Sequence, residues 1–165
     1  MMALDKREGK TIQLLVFSLD EYRYALHLAA VERVVRAVQV TPLPEAPPIV
    51  KGVVNAQGRI IPVVNVRKRF GLTEREIDPG DTFILARSSQ RRVALIADTV
   101  EGLLERSEQQ VVATGSILPG AAYLDGVAKL DDGLILIHDL DSFLALDEER
   151  ALDAAMAKVP RERPA

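Results

Sequence analysis

The stretch KGVVNAQGRIIPVVNVRKRFGL, from Lys51 to Leu72, predicts two strands joined by a tight turn. Its apolar segments GVVNA and RIIPVVNV flank Gln57-Gly58, and the glycine can take the positive φ that a two-residue hairpin turn requires. The basic segment that follows is predicted to form a short helical turn that ends at Gly71, a residue typical of helix C-termini.

The same order of features returns near the C-terminus in LDGVAKLDDGLILIHDLDSFL. Each of the two segments reads Gly-Val, hairpin turn, apolar strand and short helix, and each ends in a phenylalanine, Phe70 in the first and Phe143 in the second. An internal repeat of about twenty residues predicts two related lobes.

Short strands separated by turns account for most of the remaining chain. TIQLLVFSL and YRYALHL flank Asp20-Glu21, which predicts a hairpin, and LAAVERVVRAV is predicted to form a short helical turn and then a strand from about Val34. Further strands are predicted in TFILARS, RRVALIAD, EQQVVAT, YLDGVAKL and LILIHDL. We therefore predict an all-β core, followed by a C-terminal helix in DEERALDAAMAK.

The composition excludes several classes of function. The 165 residues fit one domain, and a net charge of -3 without a basic excess argues against a nucleic-acid partner. The chain has no cysteine, which excludes disulfides, thiolate metal sites and a cysteine nucleophile. The start MMALDKREGK is not a signal peptide, and no run reaches the roughly 18 apolar residues of a membrane span. We expect a cytoplasmic protein without direct membrane insertion.

The sequence lacks the residue patterns of the common catalytic and phosphate-binding sites. GVVNAQGRI lacks the Lys-Ser/Thr of a phosphate-binding loop and leads into a strand, and ATGSILPG lacks the Gly-x-Ser-x-Gly turn of a serine hydrolase. His27 and His138 are far apart in sequence, without clustered metal ligands. The run Arg67-Lys68-Arg69 is interpreted as a solvated helical face. We expect no catalytic residue, metal or cofactor, and a binding module remains by elimination.

The opening stretch, extended to IVKGVVNAQGRIIPVVNVRKRFGL, closely resembles the most characteristic segment of the CheW family, the adaptors of bacterial chemosensory arrays. The likeness continues through QLLVFSLDEYRYALHLAAVERVV, VALIADTVEGLL and YLDGVAKLDDGLILIHDLDSFL, so that four segments follow the family pattern in order. The resemblance implies two five-stranded Src-homology-3-like barrels that share a hydrophobic core. On this basis we expect a flexible tail over 1–10, a CheW-like domain of two intertwined lobes over 11–146 with a boundary near 80–90, and a helix with a frayed tail over 147–165.

Proteins similar to this one couple the cytoplasmic tips of methyl-accepting chemoreceptors to the histidine kinase CheA. The resemblance implies that the partners are the regulatory domain of CheA, the receptor tip and other CheW-like domains in rings, and that the protein is recruited to membrane-associated arrays. It also implies that the groove between the barrels accepts the receptor helix. The alternative is the binding half of a CheV-like protein, which would also carry a receiver domain, whereas this chain ends at Ala165.

The chain departs from the family pattern at two charged positions. Where the family usually has Asn-Leu-Arg-Gly, this chain has Asn55-Ala56-Gln57-Gly58, which lacks the arginine. In the preceding segment, Arg33 takes the place of the usual glutamate. Arg33 is expected to hydrogen-bond to Gln57, Glu32 or Glu45, and the exchange indicates a divergent adaptor that serves an alternative chemosensory pathway. The residues expected to bind receptor or kinase are Val31, Arg33, Val34, Val35, Gly52, Asn55, Gln57 and Gly58, with Leu26 and Leu28 behind the valines.

Overall fold

The computed structural model describes residues 10–112, 124–130 and 133–159. Most of the predicted N-terminal tail and nearly all of the C-terminal VPRERPA lie outside the described residues, as do Asp131 and Asp132 of the second predicted hairpin turn. The described strands and helices are β1 (Thr11–Leu19), β2 (Tyr22–His27), β3 (Val31–Arg36), β4 (Val50–Ala56), β5 (Arg59–Val64), α1 (Val66–Phe70), β6 (Thr82–Arg87), β7 (Arg92–Ala97), β8 (Thr99–Ser107), β9 (Val111–Val112), β10 (Leu124–Leu130), β11 (Gly133–His138) and α2 (Leu146–Ala157).

The strands form two sheets, which confirms the all-β prediction. In the described part of the chain, the first sheet has the order β8-β1-β2-β11-β10-β9 and the second has the order β3-β6-β7-β5-β4. The first sheet has one strand more than the five that the resemblance implied, because the two-residue β9 adds to its edge. The predicted boundary near 80–90 falls on β6 and the start of the turn to β7, its neighbour in the same sheet. The chain changes sheet between β2 and β3 and again between β7 and β8.

Two predicted hairpin turns are present, and both use positive φ. Asp20 turns β1 into β2 with a φ of 55°. Gln57 and Gly58 have φ of 55° and 82°, the pair of positive angles that a type I′ turn requires. The helical turn before β3 is also present, at Leu28–Ala30, but the strand begins at Val31 rather than at about Val34.

Three apolar clusters explain why several strands are apolar on both faces. Leu14 and Val16 of β1 lie in the interior of the first barrel, while Leu15 and Phe17 point to a central cluster that both sheets share. The side chains of the second sheet also point to two clusters. Those on its inner face, such as Phe83, form the inner cluster of the second barrel, and those on its outer face join the central cluster. A strand buried on both faces reads as a continuous apolar run, as TIQLLVFSL does.

The sequence repeat corresponds to a structural repeat. In β4 and β10 the pairing register shifts just before Gly52 and Gly126, respectively. After the second strand of each hairpin, Asn65 and Asp139 cap a helical turn by accepting a backbone N–H bond. Each repeat also supplies one parallel pairing, β5 with β7 and β11 with β2. The prediction of two related units is thus supported by matched local geometry.

Arg67 and Arg69 do not lie on a solvated helical face, so that interpretation was wrong. Arg67 is 8% exposed and donates to both carboxylate oxygens of Asp20, at 3.1 and 2.9 Å, and to Asp98 at 2.8 Å. Arg69 donates to Glu148 of α2 at 2.6 Å. Both arginines therefore connect α1 to distant parts of the fold, while Lys68 remains exposed.

Helix α2 packs against the central cluster through Leu152, which is fully buried. Besides the bond from Arg69, its acidic face accepts from Arg91, which reaches Glu149 at 2.8 Å and also pairs with Asp153. These contacts hold the C-terminal helix of the described chain to α1 and to the loop before β7.

Candidate protein-interaction site

The three valines of the predicted site occupy different environments on β3, an edge strand of the second sheet. Val34 is 40% exposed. Val31 packs against the central cluster and Val35 against the inner cluster of the second barrel. Leu26, placed behind them by the sequence, is buried in the central cluster. Val34 is therefore the valine with the most exposed side chain, and the other two pack beneath the strand.

Gly52 lies in the seam where the second barrel closes. Thr41 and Val53 form a two-bond bridge there, with N–O distances of 2.9 and 2.8 Å. A Cβ atom at Gly52 would lie 2.2 Å from the Thr41 carbonyl oxygen, far inside van der Waals contact. A side chain at Gly52 is therefore excluded chiefly by backbone.

Asn55 holds the turn between β4 and β5. Its Oδ1 accepts a hydrogen bond from the Gly58 amide at 3.0 Å. Gly58 itself has no atom within 4 Å of a Cβ built on it, so its requirement for glycine comes from positive φ alone. Asn55 and Gly58 thereby fix the position of Gln57, whose side chain is exposed.

Arg33 and Gln57 line the same groove at the open part of the barrel seam. A groove of about 300 Å³ separates β3 from the β4–β5 hairpin. Its lining consists of Glu32, Arg33, Ala56, Gln57, Arg59, Ile61, Leu85 and Arg92. The two positions at which the chain departs from the family pattern therefore face the same groove.

The carboxylates expected to neutralise Arg33 are engaged elsewhere. Glu32 accepts from Arg92 Nε at 2.8 Å, and Glu45 pairs with Lys158 at 2.6 Å. Among the described residues, no carboxylate lies within ion-pair distance of Arg33. The expectation that Glu32 or Glu45 would pair with Arg33 was wrong, because tertiary contacts invisible in the sequence bring other cations to both.

Sequence reasoning missed Arg59 and Arg92 as members of this groove. Arg59 begins β5 and Arg92 begins β7, so the two residues reach the same barrel end from separate hairpins. The order of strands in the second sheet places them there, and no local motif signals it.

The two histidines, remote in sequence, line one small cavity of about 120 Å³ together with Asp139 and Asp141. His138 is buried and stacks on Phe70, with ring centroids 4.0 Å apart. Over the described ranges, no three or more metal-ligating side chains are grouped so as to hold an ion. His138 thus contributes its ring to the packing between the two repeats.

Comparison with known proteins places this architecture in a family. The CheW-like domain family matches residues 13–148, which run from β1 into the first turn of α2. The chain belongs to the CheW family. CheW relatives are thus expected to share nearly all of both sheets and most of the central cluster, since these lie within the match, whereas Leu152 of α2 lies beyond it.

Individual CheW relatives agree with the family match. The chain is 33% identical to the chemotaxis protein CheW of Thermotoga maritima over 135 residues, which cover 82% of this chain and 89% of the relative. It is 27% identical to the CheW of Treponema pallidum, covering 85% of this chain and 86% of that protein. The crystal structure of the scaffolding protein TtCheW from Thermoanaerobacter tengcongensis matches with a TM-score of 0.76 and 30% identity, over 83% of this chain and 94% of that one.

Neither helix in the described ranges of this CheW-family chain has the length and apolar character needed to cross a bilayer.

Proposed function

We propose that this CheW-family protein couples the cytoplasmic tips of methyl-accepting chemoreceptors to the regulatory domain of the histidine kinase CheA. The observation that carries the proposal is the family match over 13–148, which includes nearly all of both sheets and most of their shared core. The neighbour TtCheW is itself described as a scaffolding protein. The protein acts without catalysis, in the cytoplasm, where receptors recruit it to membrane-associated arrays.

The shared core supports a coupling role because it joins the two barrels into one body. Phe17 of the first sheet and Leu95 of the second are fully buried in the same cluster. Close-packed interiors deform little, so a load applied to one barrel is transmitted to the other. A rigid body with partners on two faces can convey a change in receptor packing to the kinase.

The interaction surface we assign comprises β3, the seam at Gly52 and the β4–β5 hairpin. Val34 supplies exposed apolar area, and Arg33 and Gln57 supply polar contacts along the groove. Val31, Val35, Gly52, Asn55 and Gly58 act by shaping this surface: the valines pack beneath β3, and the other three fix the seam and the turn. Exposed apolar residues ringed by polar groups are typical of binding surfaces.

The same surface supports assignment to an alternative chemosensory pathway. Arg33 takes the place of the usual glutamate, and Gln57 takes the place of the usual arginine. A partner adapted to the usual pair would therefore meet different charges here. Like-charge contacts across an interface suppress wrong partners, which makes such a replacement a means of specificity.

The test is reconstitution with the organism's own CheA regulatory domain and a soluble fragment of the receptor tip. We expect the protein to bind both in one complex by size-exclusion chromatography, and Val34→Glu to lose receptor binding while it retains kinase binding. Leu146→Glu is the matched control, because Leu146 is 67% exposed at the start of α2, outside the surface. Failure to bind either partner, or mutually exclusive binding, would refute the coupling role.

A further inference from the structure

The groove between β3 and the β4–β5 hairpin has an apolar floor. Ile61 and Leu85, 4% and 6% exposed, belong to the inner cluster of the second barrel and form the base of the groove. The single bridge between Thr41 and Val53 closes the seam on one side, and the two edge strands separate beyond it. A side chain that enters the groove is therefore partly removed from water.

The rim of the groove is cationic, although the chain as a whole is acidic. The groove lining has three cationic side chains and one carboxylate: Arg33, Arg59, Arg92 and Glu32. The hydrogen bond from Arg92 to Glu32, at 2.8 Å, neutralises one of the positive charges. Among the described residues, neither Arg33 nor Arg59 has a carboxylate within ion-pair distance. Two exposed guanidinium groups are thus left to face a partner in a protein whose net charge is -3.

We propose that this groove binds an acidic segment of the protein partner, with Asp or Glu side chains pairing with Arg33 and Arg59. The proposal rests on the adaptor function above and specifies the chemistry of its partner. A guanidinium presents donors in a planar fork that matches a carboxylate with two parallel hydrogen bonds. Gln57, which lines the same groove, offers its amide NH2 as a donor and its carbonyl oxygen as an acceptor to the backbone of the segment.

A protein segment fits the groove better than a nucleic acid does. The positive charge is confined to one groove, and the net charge of -3 repels an extended polyanion at longer range. The apolar floor of Ile61 and Leu85 also favours aliphatic stems beside the carboxylates, as Glu side chains provide.

The test compares the full chain with the double variant Arg33→Gln/Arg59→Gln against the same CheA regulatory domain and receptor-tip fragment, by isothermal titration calorimetry. We expect the Kd for one of the two partners to rise about tenfold, since each exposed ion pair contributes modestly and the double variant removes two of them. Raising the salt from about 50 to about 300 mM should weaken wild-type binding more than binding of the double variant, because salt screens surface charges.

Two further variants make the result interpretable. Glu32→Gln removes the acid that neutralises Arg92, so it should strengthen binding of the same partner. Arg150→Gln, exposed on α2 and outside the assigned surface, should leave both affinities unchanged. If the wild type binds neither partner, the adaptor function itself fails. If the wild type binds but the double variant has the same Kd and salt dependence, the adaptor function stands and the acidic-segment proposal is overturned.

Discussion

Phe70 and Phe143, which end the two sequence repeats, meet edge to face with ring centroids 5.7 Å apart. Phe143 is 1% exposed and Phe70 is half-buried against the same central cluster. His138 lies within reach of both rings, stacked on Phe70 and edge-on to Phe143. The repeats therefore join the barrels through their equivalent residues, at the centre of the shared core.

This contact predicts energetic coupling between the two phenylalanines. Phe143→Ala should lower the free energy of unfolding by about 3–5 kcal/mol, as expected for a buried phenylalanine, and Phe70→Ala should cost less because that ring is only half-buried. In a double-mutant cycle by urea denaturation, we expect a coupling energy of about 0.5–1.5 kcal/mol for the aromatic pair. Phe83→Ala is the control: Phe83 lies in the inner cluster of the second barrel, so its effect should add to that of Phe143→Ala.

Local chemistry made much of this fold predictable from the sequence. Gly58 signalled its hairpin through the positive φ that few residues tolerate, and the Phe70–Phe143 repeat signalled two units. The predictions that were wrong concern residues whose environment depends on long-range contacts. The basic run containing Arg67 looked like a solvated face because its partner Asp20 is 47 positions away in the sequence.

The candidate site was only partly predictable for the same reason. Val31, Val34 and Val35 look equivalent in sequence, and which of them faces solvent depends on how β3 packs against the two apolar clusters. Arg59 and Arg92 join Arg33 through strand order, which no single segment encodes.

The ionic cluster around Arg67 predicts loss of stability in acid. Burial raises the pKa of Asp98, but hydrogen bonds from the Asp20 amide and the Arg67 guanidinium, with the charges of Arg67 and Arg75, outweigh it and leave the pKa below its usual value. A carboxyl with a lowered folded pKa stabilises the fold above its unfolded pKa of about 3.9, and that contribution disappears as pH falls through the folded value.

Asp98→Asn should therefore cost about 1–3 kcal/mol at pH 7, since it removes a charged partner from buried Arg67. The difference from wild type should narrow as pH falls below about 4, where Asp98 first becomes neutral in the unfolded state, and should vanish once pH has also fallen through the lower folded pKa. Urea denaturation of the variant and the wild type, at pH 7 and below about pH 4, measures this difference in the free energy of unfolding. Glu101→Gln, at an exposed position, is the control. A difference independent of pH would mean that the charge of Asp98 does not stabilise the fold.

The same substitution should destabilise the fold far more at Gly52 than at Gly58. Gly52→Ala places Cβ 2.2 Å from the Thr41 carbonyl oxygen and must open the seam, so we expect a loss of at least about 3 kcal/mol or no folded protein. Gly58→Ala meets no neighbour and should cost only the strain of positive φ, about 1–2 kcal/mol, with Gly58→Val also above about 1 kcal/mol. Thermal melts of the pair measure the contrast, and equal losses would contradict a steric role for Gly52.

Val31 and Val34 should separate folding from binding on one strand. Val31→Glu buries a carboxylate against the central cluster and should destabilise the protein by more than about 2 kcal/mol. Val34→Glu adds the same group at a 40% exposed position and should change the melting temperature little. If Val31→Glu melts like the wild type, Val31 is a surface residue and belongs with Val34 among the contact residues.

The final prediction concerns restoration of the family charges in the groove. Gln57→Arg alone places a third unpaired guanidinium beside Arg33 and Arg59, so repulsion should weaken the fold or the binding of an acid-poor partner. Arg33→Glu/Gln57→Arg supplies an opposite pair and should recover stability. Arg33→Glu alone should be the milder single change, because Arg59 and Arg92 line the same groove and can accept the new carboxylate as a partner.

A double-mutant cycle on stability and on CheA affinity should give a coupling energy of about 0.5–3 kcal/mol if the two side chains meet. Coupling joined to a shift in affinity, away from the cognate kinase or receptor and toward those of a standard array, would support a role of the exchange in partner choice. Coupling in stability alone would make the pair structural. Additive effects would show that Arg33 and Gln57 act independently although they line one groove, because residues that do not interact contribute separately to the free energy.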